Sequence, residues 1–185
     1  MPPMIALCLA ALLGFGSTPA LGQDRMLLDD FAAPAQGDWR FISDTVMGGI
    51  SQGEARILRE GTATFARMTG QVSTANNGGF IQMRLDLPNA APVGTEGVRL
   101  VMRGNNARYY IHLRTAGTVL PWQYYQAGFD SRQNWTEIRL PLSSFQPSSA
   151  VLRRVPQAGS LRSIAVVAFG RDHQAAIDIL EIGFY

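Results

Sequence analysis

Past residue 23 the chain alternates: apolar and polar residues change places at every second position, in one short run after another, between Gly, Asn and Pro. A period of two puts successive side chains on opposite faces of an extended backbone, whereas a helix needs apolar residues three and four apart. The runs are Ala55–Arg59, Thr62–Arg67, Phe80–Leu87, Val98–Arg103, Arg108–Thr115, Gln123–Phe129, Thr136–Leu140, Ser163–Phe169 and Ala176–Phe184. Closely spaced short strands with no helix between them predict an all-β fold, an antiparallel β-sandwich or jelly roll. Glu60-Gly61 reads as a hairpin turn, and Arg103-Gly-Asn-Asn-Ala107 as a tight connection in which Gly and Asn take left-handed geometry. Gln146 to Gly159 reads as one long loop.

The alternation also sorts side chains by face. Ile81, Met83, Leu85 and Leu87 oppose Gln82, Arg84 and Asp86; Tyr109, Ile111 and Leu113 oppose Tyr110, His112 and Arg114; Leu100 and Met102 oppose Arg99, Val101 and Arg103. A polar face rich in Arg, Tyr and Gln is thus predicted to cross several strands. Such a face is usually only solvated. With aromatic rings and guanidinium groups interleaved, it also suits a sugar or a peptide.

Two segments break the alternation: Asp44-Thr-Val-Met-Gly-Gly-Ile-Ser51 and Asn76-Asn-Gly-Gly-Phe80, with Arg84 shortly after. The pairs Gly48-Gly49 and Gly78-Gly79 permit positive φ and close backbone approach. The plain reading is two turns between strands. The flanking residues argue for more. Asp44 and Ser51 can cap loop amides, Asn76 and Asn77 can bridge to a neighbouring loop, and Met47 and Phe80 offer apolar anchors. The two loops are expected to pack on each other as a latch, with Asp44 and Arg84 as charge partners, and to form a loop platform for a partner.

The first residues read as a targeting segment. Met4 to Phe15 is nearly all apolar, and Ala20-Leu-Gly22 has small residues where a signal peptidase would cut. The run is shorter than the roughly 20 residues a membrane span needs. Residues 1–22 are therefore expected to be a cleaved signal, residues 23–185 a single β-sandwich domain, and the location periplasmic or secreted. Cys8 would leave with the signal, so the mature chain would carry no thiol for a disulfide or metal site. All 16 basic residues are Arg, and the net charge is +2. Their spread along the chain is no nucleic-acid footprint, which needs a dense basic stripe.

Catalytic chemistry finds little support. His112 and His173 are the only histidines, and no Ser sits in a Gly-x-Ser-x-Gly elbow. A calcium ion at Asp29-Asp30 or Asp44 lacks the regular acidic spacing of such loops. Asp86 and Glu137 are the few acids on the polar face, so no carboxylate pair stands out. The chain reads as a binding protein with no enzymatic activity, no metal and no cofactor.

In these same residues the chain resembles the complex I intermediate-associated protein family, whose mitochondrial members help assemble NADH:ubiquinone oxidoreductase. The resemblance rests on Asp30-Phe31, Trp39, Asp44 to Ser51, Gly70-Gln-Val-Ser73, Asn76 to Phe80 and Arg84. It continues through Arg103-Gly104, Tyr109-Tyr110, Tyr125-Gln-Ala-Gly-Phe129, Trp135, Leu140-Pro141 and Phe145. It implies a galactose-binding-like sandwich, a protein partner in a membrane complex and a chaperone-like, non-enzymatic role. The family often has Asp where this chain has Asn105. Its mitochondrial members work on the side equivalent to a bacterial cytoplasm, whereas the leader predicts export. The alternative is a periplasmic carbohydrate-binding module. Trp122, Tyr124 and Trp135 would then be stacking platforms, beside Tyr110, with Arg84, His112 and Arg114 as hydrogen-bonding groups.

Overall fold

A computed structural model describes residues 26–33 and 38–185; the expected leader and Cys8 lie outside the described residues. The strands, in chain order, are β1 (Met26–Asp29), β2 (Arg40–Ser43), β3 (Gln52–Glu60), β4 (Ala63–Val72), β5 (Phe80–Asp86) and β6 (Gly97–Gly104). There follow β7 (Arg108–Thr115), β8 (Tyr125–Asp130), β9 (Thr136–Pro141), β10 (Gln146–Pro147), β11 (Leu161–Phe169) and β12 (His173–Phe184). They form two six-stranded antiparallel sheets, a sandwich of the predicted kind. The first runs β3-β4-β12-β6-β9, and the second β10-β8-β7-β11-β5-β2. Strand β1 joins the first sheet on β12 at Ile182–Phe184, beyond the stretch His173–Ile179 that pairs with β4.

Alternation does its work between the sheets. Ile81, Met83, Leu85, Tyr109, Ile111, Leu113, Ile164 and Val166 of the second sheet face Met68, Val72, Leu100, Met102, Ile177 and Ile179 of the first; all are buried. Each fully buried aliphatic side chain contributes about 1.5–3 kcal/mol. Tyr109, with no exposed surface, satisfies its hydroxyl completely. It donates to Asn105 Oδ1 and accepts from the Ala176 amide, both at 2.8 Å. Asn105 also donates its amide N–H to the Gln174 carbonyl at 2.8 Å, which an Asp in its place could not do. The departure from the family pattern thus ties the β6–β7 turn to β12.

Gly61 and Asn106 take the expected left-handed geometry, each at φ 61°, whereas Gly104 ends β6 without a positive φ. Three expectations change. Strands β1 and β2 are additions, each only four residues long. The segment predicted as one loop contains the short strand β10 and a 3-10 turn, Ala158–Ser160. Most consequentially, the polar face is two faces. β6 lies between β12 and β9, so Arg99, Val101 and Arg103 line the outside of the first sheet, while Gln82, Arg84, Tyr110, His112 and Arg114 line the outside of the second.

Candidate functional site

The loop from β2 to β3 opens with a 3-10 turn, Asp44–Met47, that points one carboxylate inward. Asp44 is wholly buried. Its Oδ1 accepts the Ser51 amide at 2.9 Å. Its Oδ2 accepts the Ser51 hydroxyl and the Gly79 amide, each at 2.5 Å, and the Phe80 amide at 3.2 Å. Ser51 Oγ in turn accepts the Ser73 amide at 3.0 Å. Burial disfavours the charged carboxyl, but the Ser51 hydroxyl and the Gly79, Ser51 and Phe80 amides outweigh it and hold the Asp44 pKa below the ordinary 3.8.

Both glycine pairs serve this one carboxylate, and they divide the labour in the same way. Gly48 (φ 93°) and Gly79 (φ 127°) supply left-handed backbone. Gly49 and Gly78 supply room: a Cβ on Gly49 would collide with Asp44 Cγ, and one on Gly78 would lie 2.5 Å from Asp44 Oδ2. The Gly79 carbonyl accepts the Gly170 amide at 2.8 Å, and Asp172 accepts both the amide and the hydroxyl of Thr74 at 2.7 Å. The two loops and the β11–β12 turn are therefore one bonded unit.

Three expected roles are corrected here. Arg84 does not reach Asp44; it pairs with Asp86 at 2.8 Å on the outer face, because residues 80, 82, 84 and 86 of β5 point away from the core. Met47 anchors nothing and is 64% exposed, beside Val46 at 74% and Ile50 at 51%. Asn76 and Asn77 make no side-chain bridge among the described hydrogen bonds; they take left-handed φ of 57° and 58°, the geometry asparagine tolerates best after glycine. The carboxylates weighed for calcium are occupied by N–H donors. Asp29, also buried, accepts the Phe31 amide and Trp39 Nε1, each at 2.8 Å, so it clasps the incoming chain much as Asp44 clasps the loops.

The candidate ligand face divides as well. Tyr110, His112 and Arg114 project from β7, and Tyr124 stacks on His112 with ring centroids 4.1 Å apart and planes 10° from parallel. One register row crosses all six strands of the second sheet: Gln146, Gln126, His112, Ala165, Arg84 and Arg40. Arg114 is committed to the loop that follows it, donating to the carbonyls of Thr118 (3.0 Å) and Leu120 (2.9 Å). Trp122 in that loop is largely exposed. Burial lowers the His112 pKa to about 4, with Gln126 opposing the shift, so the ring is neutral at ordinary pH. His112 Nε2 and Gln126 Oε1 are both buried, on directly paired positions of β7 and β8.

Trp135 belongs elsewhere, a correction to its place on this face. It sits on the outside of the first sheet, edge-on to Phe65 at 5.6 Å and beneath the Arg103 guanidinium at 4.5 Å. There Asp178, a residue the sequence did not single out, takes two bonds from Arg67 (2.6 and 2.7 Å) and one from Arg103 (2.8 Å). Burial again opposes ionisation, and the two guanidinium groups keep its pKa low. Among the described residues no group of three or more His, Cys, Asp or Glu is gathered for a metal, and no helix is long and apolar enough to cross a membrane.

Known folds match this architecture. A family 11 carbohydrate-binding module from Clostridium thermocellum, in complex with a β-1,3-1,4-mixed-linked tetrasaccharide, superposes with a TM-score of 0.69 at 15% identity, covering 86% of this chain and 94% of the module. The family 30 carbohydrate-binding module of a cellulosomal cellulase from Clostridium thermocellum gives 0.62 at 10% identity, over 87% and 96%. At such identities the likeness establishes the galactose-binding-like jelly-roll fold and nothing about ligands. No match is found among curated proteins. The sequence model of one family, complex I intermediate-associated protein 30, aligns with residues 30–175, a stretch that begins at the Asp30-Phe31 pair, takes in both glycine loops and ends within β12. The chain belongs to the complex I intermediate-associated protein 30 family.

Proposed function

We propose that this protein is a non-enzymatic binding protein that holds a protein subunit during assembly of a membrane complex of the respiratory complex I type, docking it on the Asp44 loop. The observation that carries this reading is the division within that loop. Its interior is fixed by four polar groups around one carboxylate, while Val46, Met47 and Ile50 stand in solvent at 74%, 64% and 51% exposure. Exposed apolar side chains on a pre-ordered backbone lose little conformational entropy on binding, which is how a docking surface gains affinity. Family membership supports a protein partner.

A pull-down from detergent-solubilised membranes tests it. Wild type is expected to recover respiratory subunits, Met47→Asp and Val46→Asp to lose them with an unchanged melting temperature, and Trp122→Ala at the opposite end of the sandwich to retain them. Equal recovery by all four proteins would refute the docking loop. Export is part of the proposal: the leader is cleaved after Gly22. N-terminal sequencing of protein from a periplasmic extract is expected to begin at Gln23, and an uncut cytoplasmic protein would overturn export.

A further inference from the structure

A second surface lies at the far edge of the second sheet from β2. Strand β10 pairs with only Tyr125 and Gln126 of β8, which leaves the rest of that strand without a neighbour on this side among the described residues. A cleft of about 390 Å³ opens there, its lining made of the polar side chains of Arg108, Tyr110, Gln126, Ser144 and Gln146 together with the apolar Leu140 and Pro141. Its floor is flat. Gly128 has no side chain, and Arg108 lies across it so closely that a Cβ would fall 2.6 Å from Nη2, with the guanidinium 5.8 Å from the Tyr110 ring centroid.

The chemistry of the lining selects a ligand class. Among the described residues Arg108 is the one cation in the lining, met by Asp130 at 3.2 Å, so it offers an anion no uncompensated positive charge, and no carboxylate lines the cleft for a cation. An apolar ligand would strip water from two amide side chains and a hydroxyl and return no hydrogen bonds, which is costly. Amides both donate and accept, as sugar hydroxyls do, and an aromatic ring offers the flat apolar surface of a sugar's C–H face. Gln126 stands at the cleft from β8, directly paired with His112 of β7. The volume suits a small ligand, within the range of about 300–1,000 Å³ usual for such sites.

We propose that this cleft binds a neutral sugar ring of a glycan, stacked on Tyr110 and hydrogen-bonded by Gln126 and Gln146. This is a further function, independent of protein docking, since no residue of the Asp44 loop takes part.

Titration calorimetry of the purified protein with neutral gluco-, manno- and xylo-oligosaccharides, and with oligogalacturonate as an acidic comparator, tests it. At least one neutral oligosaccharide is expected to bind and the acidic one not to. Tyr110→Ala and Gln126→Ala are expected to weaken binding about tenfold or more. Gln146→Ala, at an exposed position where folding is not at stake, is expected to weaken it measurably, and Trp122→Ala to leave it unchanged. The proposal fails if no neutral oligosaccharide binds or if only the acidic one does. It fails equally if Gln146→Ala binds like wild type, or if Trp122→Ala alone abolishes binding.

Discussion

Replacing Asp44 with Asn is expected to lower unfolding free energy at pH 7 by about 3 kcal/mol, because an amide group replaces one acceptor oxygen in a buried site lined by N–H and O–H donors. At roughly 2–4 °C per kcal/mol for a chain of this size, the melting temperature falls by roughly 6–12 °C. The pH dependence gives a second check. The Asp44 pKa is lowered in the fold, so the unfolded chain binds a proton more readily as the solution is acidified. The stabilisation is complete above the ordinary value of 3.8 and is lost as pH falls through the lower folded value. The gap between wild type and Asp44→Asn is therefore expected to narrow below about pH 4 in urea unfolding curves. An equal stability at pH 7, or a gap that widens in acid, would show that Asp44 does not organise the loops.

The glycine pairs give the other large effect, and one with internal structure. Gly49→Ala is expected to cost about 3 kcal/mol, since its Cβ meets Asp44 Cγ and must displace the carboxylate from its donors. Gly48→Ala is expected to cost only about 1 kcal/mol, because the added methyl enters open space and only the positive φ is strained. Gly79→Val suffers from its φ of 127° in the same way, made worse by β-branching. A thermal melt series over these variants separates lost space from strained backbone. Were Gly48→Ala to prove the more damaging of the neighbouring pair, the carboxylate pocket would not be what the glycines protect. Because the docking loop is the outer surface of the same unit, Gly49→Ala should also impair partner recovery.

Which side chains point inward was legible throughout. The pattern in β5 and β7 assigns Ile81, Met83, Tyr109 and Ile111 to the core without knowledge of any partner strand, and all four are buried. The hairpin at Gly61 and the left-handed Asn106 were equally plain, because turn geometry depends on neighbouring residues alone. That Asp44 caps loop amides was legible too, but not which amides, because every residue carries the same backbone N–H; Arg84, the obvious opposite charge, pairs with Asp86 instead. Arg103 was placed on one polar face with Tyr110 because alternation alone does not tell one sheet from the other, and Trp135, expected as a stacking platform on that face, lies with Arg103 on the first sheet.

Strand period and backbone freedom are local properties of the residues concerned, so an alternating all-β chain with two special glycine loops could be read directly from the residues. That both loops close on a single carboxylate, 35 residues before Gly79, and that Arg67 meets Asp178 across 111 residues of chain, emerge only when the chain is folded. Alternation tells a strand which face is in, but sheet membership is set by which strands exchange backbone hydrogen bonds. Every backbone carries the same donors and acceptors, so that choice is made by packing the whole core at once.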